Sequence, residues 1–440
     1  MTKQEILTKC TELDVRFIRL QFTDILGVVK NVAIPISQLE RALNNEIMFD
    51  GSSIEGFTRV EESDMILKPD LNTFTIFPWR PREGAVARLI CDIYTPEGTH
   101  FEGDPRYVLK RTIQEAADLG YTLNIGPECE FFLFKLKEDG TPSIITHDRG
   151  GYFDLSPNDL GENARREIVL TLEEMGFEIE ASHHEVSPGQ HEIDFKYSEP
   201  LSAADRVTTL KFVTRIIAMR NNLHATFMPK PIFGINGSGM HIHLSLFKNN
   251  RNVFFDSQGK YQLSDEARYF IGGILRYIKA ITAITNPLVN SYKRLIPGYE
   301  APVYQTWSVS NRSALIRVPA GRGDSTRIEI RNPDPCCNPY LAFSLLIKAG
   351  LEGIINQIEP SEPIQKNVYL MSPAERALEN IGSLPESLYE ALIEFDKEQF
   401  CRQTLGEHIF NRFLEAKLIE WEVYKNQVHQ WEIDQYLGVF

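Results

Sequence analysis

Four short stretches set ionisable side chains at every second position: Glu128-Cys129-Glu130, Glu192-Ile193-Asp194-Phe195-Lys196, His241-Ile242-His243-Leu244-Ser245 and Arg327-Ile328-Glu329-Ile330-Arg331. Strand side chains alternate between faces, so each stretch is predicted to aim acids, His or Arg at one surface and apolar residues at the other. Solvent is the ordinary destination for such a face. The residue types, however, are metal ligands and phosphate clamps, and the pattern recurs four times. It points to strands lining a polar, ion-filled cleft.

Glu128 and Glu130 are predicted to lie within about 7 Å on one face, continued by Phe132 and Phe134. Buried like charges need a proton or a cation between them. An isolated pair of this kind is more often a solvated edge. His183-His184-Glu185 is followed by Pro188-Gly189 and Glu192. Pro-Gly would break the helix that a zinc-protease motif requires, whereas a turn would present Glu185 and Glu192 to one ion. Phe233-Gly234-Ile235-Asn236-Gly237-Ser238-Gly239-Met240 could bring backbone amides close to a ligand, although a plain hairpin loop is the default. Arg312, Arg317, Arg327 and Arg331 surround Glu329. Their forks suit phosphate and carboxylate oxygens, against the alternative of local salt bridges. Carboxylates with few His and no thiolates suit Mg²⁺ or Mn²⁺. The combination points to phosphoryl transfer from a metal-bound nucleotide.

The elements that must position these groups read as α+β. The first hundred residues are predicted β-rich: Val15 to Phe22, a turn at Thr23 to Gly27, Val28 to Ile36, and Val86 to Tyr94. Met48 to Phe57 reads as a Gly/Ser-rich loop. Asp104-Pro105 marks a helix start, so a domain boundary is placed between 103 and 104. Helix spacing follows at Glu162–Gly176, Ala203–Leu223, Ser264–Thr285, Asn338–Ile358, Pro385–Lys397 and Gln403–Lys425. The long segment from Asn286 to Pro302 reads as a functional loop. Length alone favours about three domains. A net charge of −14, from 46 basic and 60 acidic residues, argues against nucleic acid or anionic membrane as partner. No membrane-length apolar run or secretory leader is evident. Six scattered cysteines without a CxxC pair point to reduced thiols and a cytoplasmic home; Cys129 reads as core.

Five longer motifs carry a resemblance. Met48-Phe49-Asp50-Gly51-Ser52-Ser53, Asn236 to His243, Asn290 to Pro302, Asn311-Arg312-Ser313, and Arg327 to Arg331 with Pro333-Asp334-Pro335 resemble bacterial type I glutamine synthetase, in order along the whole chain. The resemblance implies an N-terminal β-grasp domain (1–103) and a larger catalytic domain (104–440) whose curved antiparallel sheet forms a half-barrel flanked by helices. It implies two divalent cations per site, Mg²⁺ or Mn²⁺. One would be held by Glu130, Glu185 and Glu192, the other by Glu128, His241 and Glu329. ATP would phosphorylate the γ-carboxylate of L-glutamate, and ammonia would displace the phosphate. Asn236, Gly237, Arg294, Glu300, Arg312 and Arg331 would serve glutamate. Glu180, His243, Ser245, Arg312, Arg317 and Arg327 would serve ATP. Asp50 would take a proton from ammonium, and Glu300 would close over the intermediate, with Arg312 completing the catalytic set.

The pattern is similar to the alpha subtype, in which Arg59 takes part in feedback inhibition by glutamine. Tyr369 lacks the flanking sequence of the adenylylated relatives and is expected to stay unmodified. Ala320 to Asp324 lacks a Lys that some relatives use for ATP. The family implies a dodecamer of two hexameric rings, sites shared between subunits, and a nitrogen-responsive transcription regulator as partner. Competing readings are a ligase joining glutamate to a polyamine or another amine, a non-enzymatic protein on the same fold, and a guanidino-phosphate kinase.

Overall fold

Residues 1–52, 54, 64–81 and 83–440 are described by the computed structural model. The N-terminal part is a five-stranded sheet in the spatial order Val29–Pro35, Val15–Thr23, Ala85–Tyr94, Asp64–Ile76 and Ile47–Asp50. Its central pair, Val15–Thr23 with Ala85–Tyr94, is parallel, and the other pairs are antiparallel. Ile6, Ile18, Leu20, Leu39, Leu67, Leu89 and Ile93 make its core. The stretch read as a loop from Met48 is strand as far as Asp50, because its backbone pairs with Asp64–Leu67. That partner strand is polar and carries Pro69, which hid it in the sequence.

The second core is far larger, and two cores replace the three that length favours. It lies between helices and a ten-stranded sheet, counted among the described residues. The sheet's main path runs Trp307–Ser308, Ile316–Arg317, Ile328–Ile330, Met240–Lys248, Thr122–Leu136, Gln190–Phe195, Ile179–His184. One pair, Trp307–Ser308 with Ile316–Arg317, is parallel, so the sheet is mixed rather than purely antiparallel. The helices behind it start where capping chemistry allows. Asp104 accepts from Arg106 N with Pro105 at the first turn, Ser264 accepts from Ala267 N, and Asn338 accepts from Tyr340 N. The helix expected over Gln403–Lys425 is two, Gln399–Leu405 and Glu407–Lys425, broken where Gly406 takes φ 84°.

A buried polar joint locks the two parts together. Arg106, on the first helix of the larger part, reaches Asp70 and Asp92 of the five-stranded sheet, both at 2.7 Å, and Asp205 at 2.9 Å. Tyr340 donates to the same Asp205 at 2.7 Å. Arg88 crosses the joint to Thr209 at 2.8 Å. A guanidinium satisfied by three carboxylates is far stronger than an exposed pair, and losing it would strand buried charges.

Candidate active site

The strand Thr122–Leu136 shows how the sequence builds the cleft. Leu123, Ile125, Cys129, Phe131 and Leu133 enter the core, while Glu128 and Glu130 face the other way. Phe132 and Phe134, buried and stacked at 5.7 Å, close that face. Register brings in the neighbours: His241 lies opposite Glu128, Glu192 opposite Glu130, Asp194 opposite Glu128, and Glu329 opposite His243. Glu185 joins from the turn that connects Ile179–His184 to Gln190–Phe195. All six residues expected to hold metal line one cavity of about 510 Å³.

Two subsets converge tightly. Glu128, His241 and Glu329 offer ligand atoms within 4.8 Å of one another, as expected. Glu185 and Glu192 do the same, but with His183 as the third member rather than Glu130. His183 Nε2 lies 3.3 Å from Glu192, and its Nδ1 lies 3.5 Å from Glu185. Glu130 instead accepts on Oε2 from Gln190 at 2.9 Å and from Gly239 N at 2.9 Å. His183 has no role in the reading from sequence, although it lies two residues before Glu185, the spacing that puts side chains on one face of an extended chain.

Electrostatics divide the cleft. On one side, burial and then the charge of Glu130 push Glu185 up to about 8. Burial followed by neighbouring acids pushes Glu192 well up and Asp194 to about 7. Asp194 Oδ1 is buried without a hydrogen-bond partner. On the other side, burial alone would raise Glu329, but Arg331 and the two His hold it at about 2. Burial is likewise outweighed at Glu128, which His241 and His243 hold well below the usual range. A crowded, proton-retaining set of carboxylates with an orphaned acceptor fits hard divalent cations.

The remaining expected residues separate into walls. Asn236, Gly237, Arg294, Glu300, Arg312, Arg317 and Arg331 line the same cavity. Gly237 sits so close to Pro229 that a Cβ would come 2.1 Å from its carbonyl oxygen, which requires glycine. Arg294 is fixed by donating to the Asn332 carbonyl at 2.7 Å and the Pro333 carbonyl at 3.2 Å. Arg317 and Arg331 both pair with Glu329, while Arg327 Nε turns to His243 Nδ1 at 3.1 Å. Local pairing among these arginines is therefore real, but Arg327 is not part of it. Glu180 and Ser245 line a second cavity of about 300 Å³ that shares Glu128, His243 and Arg327 with the first. Tyr197, half-exposed, lines it too, and sequence reading did not single it out. Tyr152 lines the first cavity and was equally missed. Arg322 is not among the residues lining either cavity; it donates to the Tyr261, Pro319 and Gly321 carbonyls. Asp50 is exposed, accepts from Ser52, and is not among the residues lining the cleft. Arg59 lies outside the described residues.

A third ionisable group lies behind the sheet: His147, Asp148, Asp159 and His191, all buried. Arg165 donates to Asp159 at 2.7 Å and to His191 Nδ1 at 2.9 Å. Accepting there leaves the neutral ring's proton on Nε2, so His191 has no lone pair for a cation, and Arg165 already supplies the positive charge. Asp148 instead ties the cleft strands down. It accepts from Gly189 N at 2.8 Å and lies 3.2 Å from His184 Nε2, next to Glu185.

Comparisons agree with the geometry. Residues 102–436 match the family described as glutamine synthetase, catalytic domain, and residues 14–96 match glutamine synthetase, beta-grasp domain. A glutamine synthetase from Clostridium saccharobutylicum is 57% identical over 439 residues, spanning 100% of this chain and 99% of the relative. One from Staphylococcus aureus is 57% identical over 437 residues, spanning 99% and 98%. Among solved structures, a GmaS/ADP complex superposes with a TM-score of 0.89 at 31% identity, over 98% of this chain and 99% of that one. A Plasmodium falciparum glutamine synthetase gives 0.88 at 27%, over 99% of each.

Proposed function

The chain belongs to the glutamine synthetase family, and from that premise we propose how its cleft works. The reaction is ATP-dependent ligation of ammonia to L-glutamate, giving L-glutamine. The rival readings, a ligase for larger amines, a non-enzymatic relative and a guanidino kinase, are not favoured by relatives this similar over the full length.

In the proposed site, one divalent cation, Mg²⁺ or Mn²⁺, would be held by Glu130, Glu185 and Glu192, with His183 beside them, and a second by Glu128, His241 and Glu329. Bound cations would screen the phosphate oxygens of ATP from the glutamate carboxylate. The nucleotide would enter past Glu180, His243, Ser245 and Tyr197, with Arg327 reaching its phosphates. Arg294, Arg312 and Arg331 with Asn236 and Gly237 would orient glutamate, while Arg312 and Arg317 offset charge developing on the transferred group. The γ-carboxylate oxygen attacks the terminal phosphorus, the bond to ADP breaks, and an acyl phosphate forms. Ammonia then attacks the carbonyl carbon of the γ-carboxyl group and phosphate leaves with the electron pair. Asp50 would accept the ammonium proton first, since ammonium has no lone pair. Its position away from this chain's own cleft supports delivery to a neighbouring subunit's site, hence a homo-oligomer, and we place that oligomer as a dodecamer of two hexameric rings. Glu300 would cover the intermediate against water.

The same reading keeps the 103/104 boundary, the alpha subtype, glutamine inhibition through Arg59, an unmodified Tyr369 and a cytoplasmic site of action. No helix among the described residues is long and apolar enough to cross a membrane. A regulator protein as partner has no support in the fold or the relatives and is not part of the reading. The single observation that carries the proposal is convergence of the six proposed ligands, from four strands and one turn, on one cavity. The test is hydroxylamine in place of ammonia, with glutamate, ATP and Mg²⁺. Formation of γ-glutamyl hydroxamate is expected; ATP-independent or absent product would refute the acyl-phosphate route.

A further inference from the structure

The segment between Arg294 and Tyr304 has two fixed ends and one exposed tip. Upstream, Arg294 is buried and bonded to the backbone carbonyls of Asn332 and Pro333. Pro297, Gly298 and Glu300 are exposed. Gly298 has φ 94° and Glu300 has φ 57°, a left-handed conformation uncommon for a residue with a side chain. The tip touches the far wall through side chains alone: Asn236 Nδ2 donates to Glu300 Oε2 at 3.1 Å, and Lys230 Nζ lies 3.8 Å from the centre of the Tyr299 ring. Burial resumes abruptly at Ala301. There the Tyr369 hydroxyl donates to the Ala301 carbonyl at 2.7 Å. Two backbone bonds continue the seam, from Leu384 N to the Val303 carbonyl and from Gln305 N to the Gly382 carbonyl, each at 2.8 Å. The Tyr369 bond is the part of this seam nearest the tip, and a side chain makes it.

We propose that Tyr369 is a positioning residue for the lid: its hydroxyl fixes the pivot at Ala301 about which the Glu300 tip closes over the cleft. The inference rests on the reading of Glu300 as the group that covers the acyl phosphate. Burial raises the Tyr369 hydroxyl to about 12, so it stays a protonated donor at neutral pH. With the pivot loosened, the tip closes less completely and water competes with ammonia. Water then attacks the carbonyl carbon of the γ-carboxyl group, its bond to the phosphate oxygen breaks, and glutamate and phosphate are released with ATP spent.

The experiment measures ADP formed per glutamine in the full-length enzyme with Mg²⁺, for the wild type, Tyr369→Phe and Val368→Ala. Val368 is fully buried in the same turn, so its truncation loosens packing and keeps the hydroxyl. Tyr369→Phe is expected to raise the ratio at least about twofold over the wild type, with the ammonium KM little changed and faster hydrogen exchange across residues 299–303. An unchanged ratio in Tyr369→Phe, or an equal rise in Val368→Ala, would overturn the proposal. If Tyr369→Phe is poorly folded, hydrogen exchange decides: loosening spread evenly over the chain, not centred on 299–303, would also overturn it. Wild-type enzyme that turns over ATP without glutamate would instead refute the underlying reading of the site.

Discussion

Replacing Glu185 by Gln is expected to do two opposite things: abolish metal-dependent activity and stabilise the metal-free protein. Glu185 is pushed from 4.5 to about 8, by burial first and Glu130 second. Its side chain is 12% exposed, so solvent screens little of this. Between those two pH values the unfolded chain has lost the proton and the folded chain keeps it. Stability therefore falls by about 1.4 kcal/mol per pH unit until the folded group also ionises, of order 5 kcal/mol across the window. Glu192 and Asp194 are pushed the same way, so the cluster as a whole carries this cost. A divalent cation relieves it, and so does a neutral amide. The assay is thermal unfolding at pH 6 and pH 8, each with EDTA and with Mg²⁺. For the wild type, stabilisation by Mg²⁺ should be larger at pH 8. With EDTA at pH 8, Glu185→Gln should melt above the wild type by a few degrees, since roughly 1 kcal/mol moves a large domain by about 2 °C. A variant that melts lower than the wild type there, or a Mg²⁺ effect no larger at pH 8 than at pH 6, would refute the reasoning.

Three further outcomes follow from the structure. Asp148→Asn should weaken Mg²⁺ activation by about 10-fold or more while the fold survives, because Asp148 holds the Glu185 turn through Gly189 and His184 without touching a ligand; a Mg²⁺ titration of activity reads it. Gly161→Ala should cost roughly 1–3 kcal/mol in denaturant unfolding, since the added Cβ falls 2.6 Å from both His147 Nε2 and His191 Nε2. Arg106→Leu should cost about 3–5 kcal/mol and loosen the five-stranded sheet from the larger part, read as a new early step in proteolysis or melting, because Asp70, Asp92 and Asp205 lose their shared partner.

Period-two alternation alone determined which side of each strand carries chemistry: His241, His243 and Ser245 face the cleft while Met240, Ile242 and Leu244 are buried. The Asp104-Pro105 pair likewise marked a helix start within a residue. Those rules are local, so a single sequence carries them. Pairing is not local. That Glu128 meets both His241 and His243, that Glu130 is held by Gln190 and Gly239, and that Arg317 and Arg331 share Glu329, follow from register across strands distant in the chain. The strand Asp64–Ile76 went unread because its pairing, not its composition, makes it a strand. Tertiary structure alone decided that His147, Asp148 and His191 brace the cleft from behind, and that Tyr369 meets Ala301. Residues on different strands and turns acquire a shared environment only when the core between them has formed, and that environment sets their charge.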